Sequence, residues 1–371
     1  MSTINTYFED FLKKEPLFIN KKILQSNYIP KEIPYREQQI EQIASILAPA
    51  LRFEKPSNLF VYGKTGTGKT LSIKHTIEAM QQIAKKNNIQ LKTLYLNCKL
   101  KKVADTEYRL IAQLARDFGE EVPATGLPTE EIYKIFVKAL DKEKQIIILI
   151  LDEIDQLVKK TGDEILYNLT RISSELKQSE VSVIGISNDL VFTDVLDPRV
   201  KSSLSEEEVL FPPYNALQLQ KILKERSALA FKEGSLTEGV ISKCAAYAAR
   251  EHGDARRALE LLRVAGELAE RKNEITITVD HIDIAEEKIE NDKIVESIES
   301  QPKQSQLTLY AIFSKALINT EGHIFTGDVY ELYKEYCTKA GLRPLTQRRV
   351  SDIIAELDML GIINTKIISK G

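Results

Sequence analysis

The residues with the plainest chemical task are Gly63-Lys64-Thr65-Gly66-Thr67-Gly68-Lys69-Thr70, whose spacing is G-x-x-x-x-G-K-[ST]. The glycines allow the backbone to curl until successive N–H groups face one anion. A helix starting at this point adds roughly half a positive charge at its N-terminus. Lys69 supplies a point charge to the β- and γ-phosphates of a nucleotide, and the Thr70 hydroxyl can reach Mg2+. The flanks read as the elements this loop needs. Asn58-Leu59-Phe60-Val61-Tyr62 is a short buried strand, and a helix runs on from Leu71-Ser72-Ile73-Lys74.

Two further sites complete the expected chemistry. Ile146-Ile147-Ile148-Leu149-Ile150-Leu151 is a continuous apolar run that ends in Asp152-Glu153, as a strand buried on both faces of a parallel sheet does. Ligands of such sheets bind beyond the carboxyl ends of the strands. There Asp152 would hold Mg2+ through water, and Glu153 would orient and polarise an attacking water. Asp155 suits a cap of the following helix. A third strand, Val181–Ser187, ends at Asn188, whose neutral amide can bond both a γ-phosphate and the attacking water.

The order of these motifs, followed by Leu196-Asp197-Pro198-Arg199-Val200-Lys201-Ser202-Ser203 and Gly253-Asp254-Ala255-Arg256-Arg257-Ala258-Leu259, resembles an AAA+ ATPase. The forms "DPRVKSS" and "GDARRAL" resemble the archaeal replication initiators related to the large subunit of the origin recognition complex and its helicase-loading cousin. The resemblance runs from about Tyr28 to nearly the C-terminus. It implies ATP and ADP as the nucleotides, and it makes Asn188 the first sensor. Arg199 becomes an arginine able to reach a neighbour's γ-phosphate, and Arg256 the second sensor, reaching from the lid. It also implies that Tyr28-Ile29-Pro30 and Pro34-Tyr35-Arg36 form an arm on the adenine, with Tyr214 at the start of the lid beside them. A guanidinium fork suits phosphate oxygens better than an ammonium. Helical periodicity does not choose between Arg256 and Arg257, which flank the same apolar face.

The elements that must position these residues fall into three domains. An α/β P-loop core with its N-terminal arm covers 1–211. Pro212-Pro213-Tyr214 opens a helical lid over 212–292, with helices near Ala216–Phe231, Gly239–Glu251, Asp254–Lys272 and Val279–Asn291. The polar segment 293–304 reads as a linker. Over 305–371, three amphipathic helices precede the β-branched segment Ile362–Ile368, with Thr326 and Thr346 as caps of the second and third. That pattern suggests a winged helix, although a helical protein-interaction domain has the same periodicity. Ser369-Lys370-Gly371 begins the turn of the wing, where the sequence given stops, so the wing read from it is incomplete.

In the third of those helices Arg348, Ser351, Asp352 and Ala355 face away from the apolar side, with Arg349 at the flank. Small residues at Ser351 and Ala355 would let the backbone approach a groove of duplex DNA. Arg348 could contact phosphate or guanine and Gln347 adenine, while the N-terminus capped by Thr346 can hold a phosphate. Lys366 would contribute from the wing. The resemblance implies a second DNA contact from an insertion in the core, placed here at Gly119–Pro128, with Thr125, Gly126 and Leu127 foremost. Contact from both would clamp and bend the site. The segment from Ser305 onward carries eight basic and seven acidic side chains, a net of +1. Its electrostatic footprint is therefore weak, and the salt dependence of binding shallow, at about −0.9 in slope per neutralised phosphate.

Bulk properties exclude other classes. A chain of 371 residues with net charge −3 is no polycation, so any nucleic-acid contact must be local. No apolar run approaches the length of about eighteen residues that a membrane span needs, and the N-terminus lacks signal-peptide features. Cys98, Cys244 and Cys337 lack paired spacing and read as reduced core residues of a cytoplasmic, nucleoid-associated protein. The expected function is an ATP-dependent initiator acting on double-stranded origin DNA. Its expected partners are related initiator subunits and the replicative helicase, with slow hydrolysis as a switch. An AAA+ loader or a signalling NTPase working through protein contacts is the alternative; the loader would lack sequence-selective duplex binding, and the switch would hold ADP tightly and answer to a non-DNA ligand.

Overall fold

The computed structural model describes residues 15–99, 106–123, 126–204, 206–318 and 323–366, with Asn5, Phe8, Glu9 and Leu12 ahead of them. It divides into two compact units, Met1–Ile282 and Asp283–Gly371.

The first unit is built on a five-stranded sheet with the order β2-β3-β4-β1-β5. The strands are β1 (Leu59–Gly63), β2 (Leu91–Asn97), β3 (Ile146–Asp152), β4 (Glu180–Ser187) and β5 (Glu207–Phe211), all paired in parallel. β3 is buried along its whole length, and its alternate residues serve opposite faces. Ile147, Leu149 and Leu151 pack with Leu110, Leu114, Ile132 and Phe136. Ile146, Ile148 and Ile150 pack with Ile43, Leu47, Ile73 and Ile77. Burying each such side chain contributes about 1.5–3 kcal/mol, and helices on both faces are what a parallel sheet requires. The register sets Tyr62 beside Ser187 and Asp152 beside Ile186 and Asn97. The carboxyl ends of β1, β3, β4 and β2 therefore open onto one crevice.

After β5, Pro212-Pro213 break the chain. A capping box between Asn215 and Gln218 then starts the lid helix Ala216–Ala230. Helices Val240–Arg250 and Ala255–Lys272 follow, the latter capped by Asp254, whose carboxylate accepts from the Arg256 and Arg257 amides. The polar stretch expected as a linker is largely helical. Helix Val279–Glu299 runs through most of it, and the next begins at Lys303. Polarity here marks a solvated helix face, tied by an i,i+3 pair of Lys293 and Glu290 at 2.8 Å, rather than an open chain.

In the second unit, helices Lys303–Ile318, Thr326–Lys339 and Gln347–Met359 enclose a core that includes Leu309, Ala311, Val329, Tyr333, Cys337, Val350, Ile353 and Leu357. Thr346 caps the last helix, its hydroxyl accepting from the Arg349 amide. Thr326 does not cap the middle one: Phe325 holds the N-cap position, and Thr326 is already helical. The β-branched segment after Gly361 is not a strand over Ile362–Lys366. Branching favours a strand only where a ladder partner exists. Here the Thr365 amide and hydroxyl bond the Asp358 carboxylate instead, at 3.1 and 2.9 Å. Ile367, Ile368 and Ser369-Lys370-Gly371 lie outside the described residues.

Candidate functional site

The loop after β1 forms a cradle that side chains would fill. Gly66 and Gly68 take left-handed φ values of +70° and +92°. A Cβ on Gly66 would stand 1.7 Å from Asp254 Oδ1, and one on Gly68 3.1 Å from the Tyr214 hydroxyl. Thr67 Oγ1 donates to the Lys64 carbonyl, closing the loop. Lys69, only 5% exposed, donates from Nζ to the carbonyls of Gly63 and Lys64 at 2.8 Å and to Asn188 Oδ1 at 2.9 Å. Burial, and secondly the Arg256 guanidinium, pull its ammonium down to about 8 against the opposing pull of Asp152, Asp254 and Asp155.

The carboxylate of Asp152 is fully engaged. Oδ2 accepts from Thr70 Oγ1 at 2.9 Å and from the Tyr95 phenol at 2.6 Å, and Oδ1 accepts from the Glu153 amide at 2.9 Å. Glu153 itself adopts left-handed backbone angles, φ 55° and ψ 47°, a strained state for a residue with a Cβ and one typical of functional sites. Its carboxylate stands 3.8 Å from Lys99 Nζ. Because Glu153 occupies the N-cap position, Asp155 falls in the first turn of the helix Ile154–Thr161. It does not cap that helix, and accepts from Ser187 Oγ at 3.1 Å. Thr70, Asp152 and Glu153 line a cavity of about 170 Å³ with Gly66, Lys69 and Asn188. These hard oxygen donors fit a hydrated Mg2+.

A larger cavity of about 680 Å³ adjoins it, lined by Tyr28, Ile29, Pro30, Leu71, Tyr214 and Arg226 among others. The expected arm residues Tyr28-Ile29-Pro30 thus share a wall with the glycine loop. Arg36 does not line it. Its buried guanidinium is engaged by the carbonyls of Thr67, Tyr35 and Pro212.

The structure separates the two lid arginines. Arg256 lines both cavities, whereas the Arg257 side chain, 5% exposed, turns inward with Nε 3.3 Å from Glu251. Arg199 lines neither cavity. Its side chain, 72% exposed, is held by Asp197, with Nε 3.1 Å from Oδ1.

In the second unit Thr346, Gln347, Arg348, Arg349, Ser351 and Ala355 are all exposed, so the expected face is presented. Arg349 is compromised as a contact, however, because its NH1 lies 3.2 Å from Glu356 and 3.7 Å from Asp352. Lys366 is exposed. For the expected core insertion, Gly126 is exposed, Thr125 lies outside the described residues, and Leu127 is not free to wedge a groove. Leu127 is half-buried against the core packed on one sheet face, which is where an apolar side chain beside Val122 and Ile132 finds area to bury.

Tyr95, Asn97, Lys74 and Arg226 are among the lining residues that the sequence alone does not point to. Tyr95 and Asn97 alternate along β2, and only the pairing of β2 with β3 brings them beside Asp152. Lys74 Nζ sits 4.1 Å from the centre of the Tyr95 ring, and the Arg226 guanidinium 4.4 Å from that of Tyr28.

Residues 52–190 match the family described as AAA domain, 220–287 the Cdc6 AAA+ ATPase-type lid domain, and 296–371 the CDC6 C-terminal winged helix domain. Together with the parallel sheet and the glycine-loop cradle, they define an AAA+ ATPase with a Cdc6-type lid and a winged helix. The chain is 53% identical to an ORC1-type DNA replication protein of Thermococcus onnurineus over 99% of its own length and 89% of the relative's. It is 49% identical to an ORC1-type DNA replication protein 1 of Methanosarcina mazei over 100% and 88%. The Aeropyrum pernix ORC1 protein, solved in complex with DNA, superposes with a TM-score of 0.84 at 44% identity, covering 96% of this chain and 92% of that one. The chain belongs to the archaeal ORC1-type DNA replication proteins.

Proposed function

We propose that this chain is an ATP-dependent initiator that binds duplex DNA at replication origins and helps to recruit or load the replicative helicase, with slow hydrolysis as its switch. The observation that carries the reading is Arg256. It starts from a lid helix yet lines the same cavity as Lys69, Thr70, Asp152 and Glu153. A γ-phosphate there would be held from core and lid at once, so ATP and ADP would favour different lid angles.

The remaining assignments follow from position. The glycine loop and Lys69 bind the phosphates, and Tyr28, Ile29, Pro30 and Tyr214 enclose the base. Thr70 and Asp152 would hold Mg2+, which supplies charge stabilisation at the phosphoryl oxygens. Glu153 orients the attacking water, and Asn188 bonds water and γ-phosphate. Arg199, exposed and held by Asp197, is available to the nucleotide of a related subunit. The exposed helix Gln347–Met359 would enter the major groove with Gln347, Arg348 and Ser351. That the Aeropyrum pernix ORC1 protein was solved in complex with DNA supports the binding of DNA.

Selection of sheared genomic fragments of the source organism by the full chain with ATP tests the reading. Enrichment of a few intergenic fragments is expected. Uniform retention, or none, would contradict it in favour of a protein-directed loader.

A further inference from the structure

We infer that Arg36 is a positioning residue that locks the phosphate loop to the root of the lid, and that it sets ATP against ADP without touching the nucleotide. The inference rests on the sensing role proposed for Arg256.

Arg36 is 2% exposed and lines neither cavity. Its Nε donates to the Thr67 carbonyl in the phosphate loop at 2.7 Å, and NH2 donates to the Pro212 carbonyl at 2.6 Å. NH1 reaches the Tyr35 carbonyl at 3.0 Å. The guanidinium lies 3.8 Å from the centre of the Tyr214 ring. Pro212 and Pro213 have fixed φ, so holding the Pro212 carbonyl fixes the direction in which the chain enters the lid.

The contacts then run in a ring. Gly253 abuts the Tyr214 backbone so closely that a Cβ there would stand 2.3 Å from its carbonyl oxygen. Asp254 follows, pressed on Gly66, and the Ala255 amide donates to the Gly66 carbonyl at 3.2 Å. The phosphate loop is thus gripped by the lid on one side and by Arg36 on the other, and Arg256 projects from the segment between. A guanidinium can serve Thr67 and Pro212 at the same time because its donors diverge in a rigid plane; one ammonium cannot.

The test measures affinities for ADP and for a slowly hydrolysed ATP analogue in the parent, R36K and R256A, with melting temperatures recorded without nucleotide. The ratio of ATP-analogue to ADP affinity in R36K should fall at least about fivefold, toward the R256A value, while ADP affinity changes by less than about threefold. Equal weakening of both nucleotides, with the parent ratio retained, would overturn the role of Arg36 alone. A parent-like ratio in R256A would overturn the sensing reading, and the coupling with it. Should R36K fail to fold, Y214L, which removes the ring beneath the guanidinium, is expected to lower the same ratio; a parent-like ratio in Y214L would overturn the coupling.

Discussion

Lys69 Nζ and Asn188 Oδ1 are joined across 2.9 Å, so the start of the glycine-loop helix and the end of β4 meet through one buried ammonium. That ammonium titrates at about 8 rather than 10.5, chiefly through burial and then through Arg256. Phosphates placed beside it favour its charged form and raise that value. From about 8 upward nucleotide binding therefore takes up a proton, and affinity falls as pH rises. Calorimetry in buffers of different ionisation enthalpy should detect proton uptake near pH 9 and none near pH 6.5. Equal uptake at both would show that Lys69 is not the titrating group.

Asp152 spends both carboxylate oxygens on neighbours, and the Tyr95 phenol is the partner that can be removed without loss of volume. Tyr95→Phe should raise the Mg2+ concentration needed for half-maximal turnover by about tenfold, the scale of a lost outer-shell bond. Nucleotide affinity measured in chelator should stay within a factor of about two of the parent. An unchanged Mg2+ requirement would show that Thr70 and the Glu153 amide suffice to orient the carboxylate.

The adjacent arginines Arg256 and Arg257 should fail in different ways. Arg257→Ala breaks a largely buried ion pair with Glu251 and is expected to cost about 3 kcal/mol of stability. Arg256→Ala, at an exposed position, should stay within about 0.5 kcal/mol of the parent and lose turnover instead. Thermal melts and ATPase rates measured together check both. The opposite assignment of stability and activity would contradict the site.

These arginines show where the sequence stops being informative. β3 and its Asp152-Glu153 end were legible because a six-residue apolar run and a motif at its end have few other meanings. Arg256 and Arg257 sit at opposite flanks of one apolar helix face, so periodicity alone left them equivalent until the packing of the lid on Gly66 was known. Tyr95 and Asn97 were hidden for a different reason: their relation to Asp152 depends on strand order, a non-local property. Composition misled at three places. The segment 293–299 is polar yet helical, Ile362–Lys366 is β-branched yet has no ladder partner among the described residues, and Leu127 is in a Gly/Pro-rich loop yet finds the core.

Arg348 and Arg349 offer a paired comparison on the exposed helix of the second unit. Arg349 already faces Glu356 and Asp352, so its charge is partly compensated before DNA arrives. Arg348→Ala should weaken duplex binding about tenfold, and more than Arg349→Ala. If Arg348 meets phosphate, the logarithmic salt slope should fall by about 0.9; if it meets a base edge, the slope should hold while selectivity drops. A larger loss from Arg349→Ala would mean that its acidic neighbours release it on binding.

Nucleotide state is proposed to govern selective duplex binding. The most direct measurement is the equilibrium affinity of the full chain for an intergenic duplex of its own genome and for a shuffled duplex of equal length. Each would be titrated across a salt series with ADP or a slowly hydrolysed ATP analogue. A preference for the intergenic duplex of at least about 10³-fold is expected, with the two nucleotides giving different affinities for it. Equal affinity for both duplexes, or the same affinity for the intergenic duplex with either nucleotide, at every salt concentration would contradict that expectation.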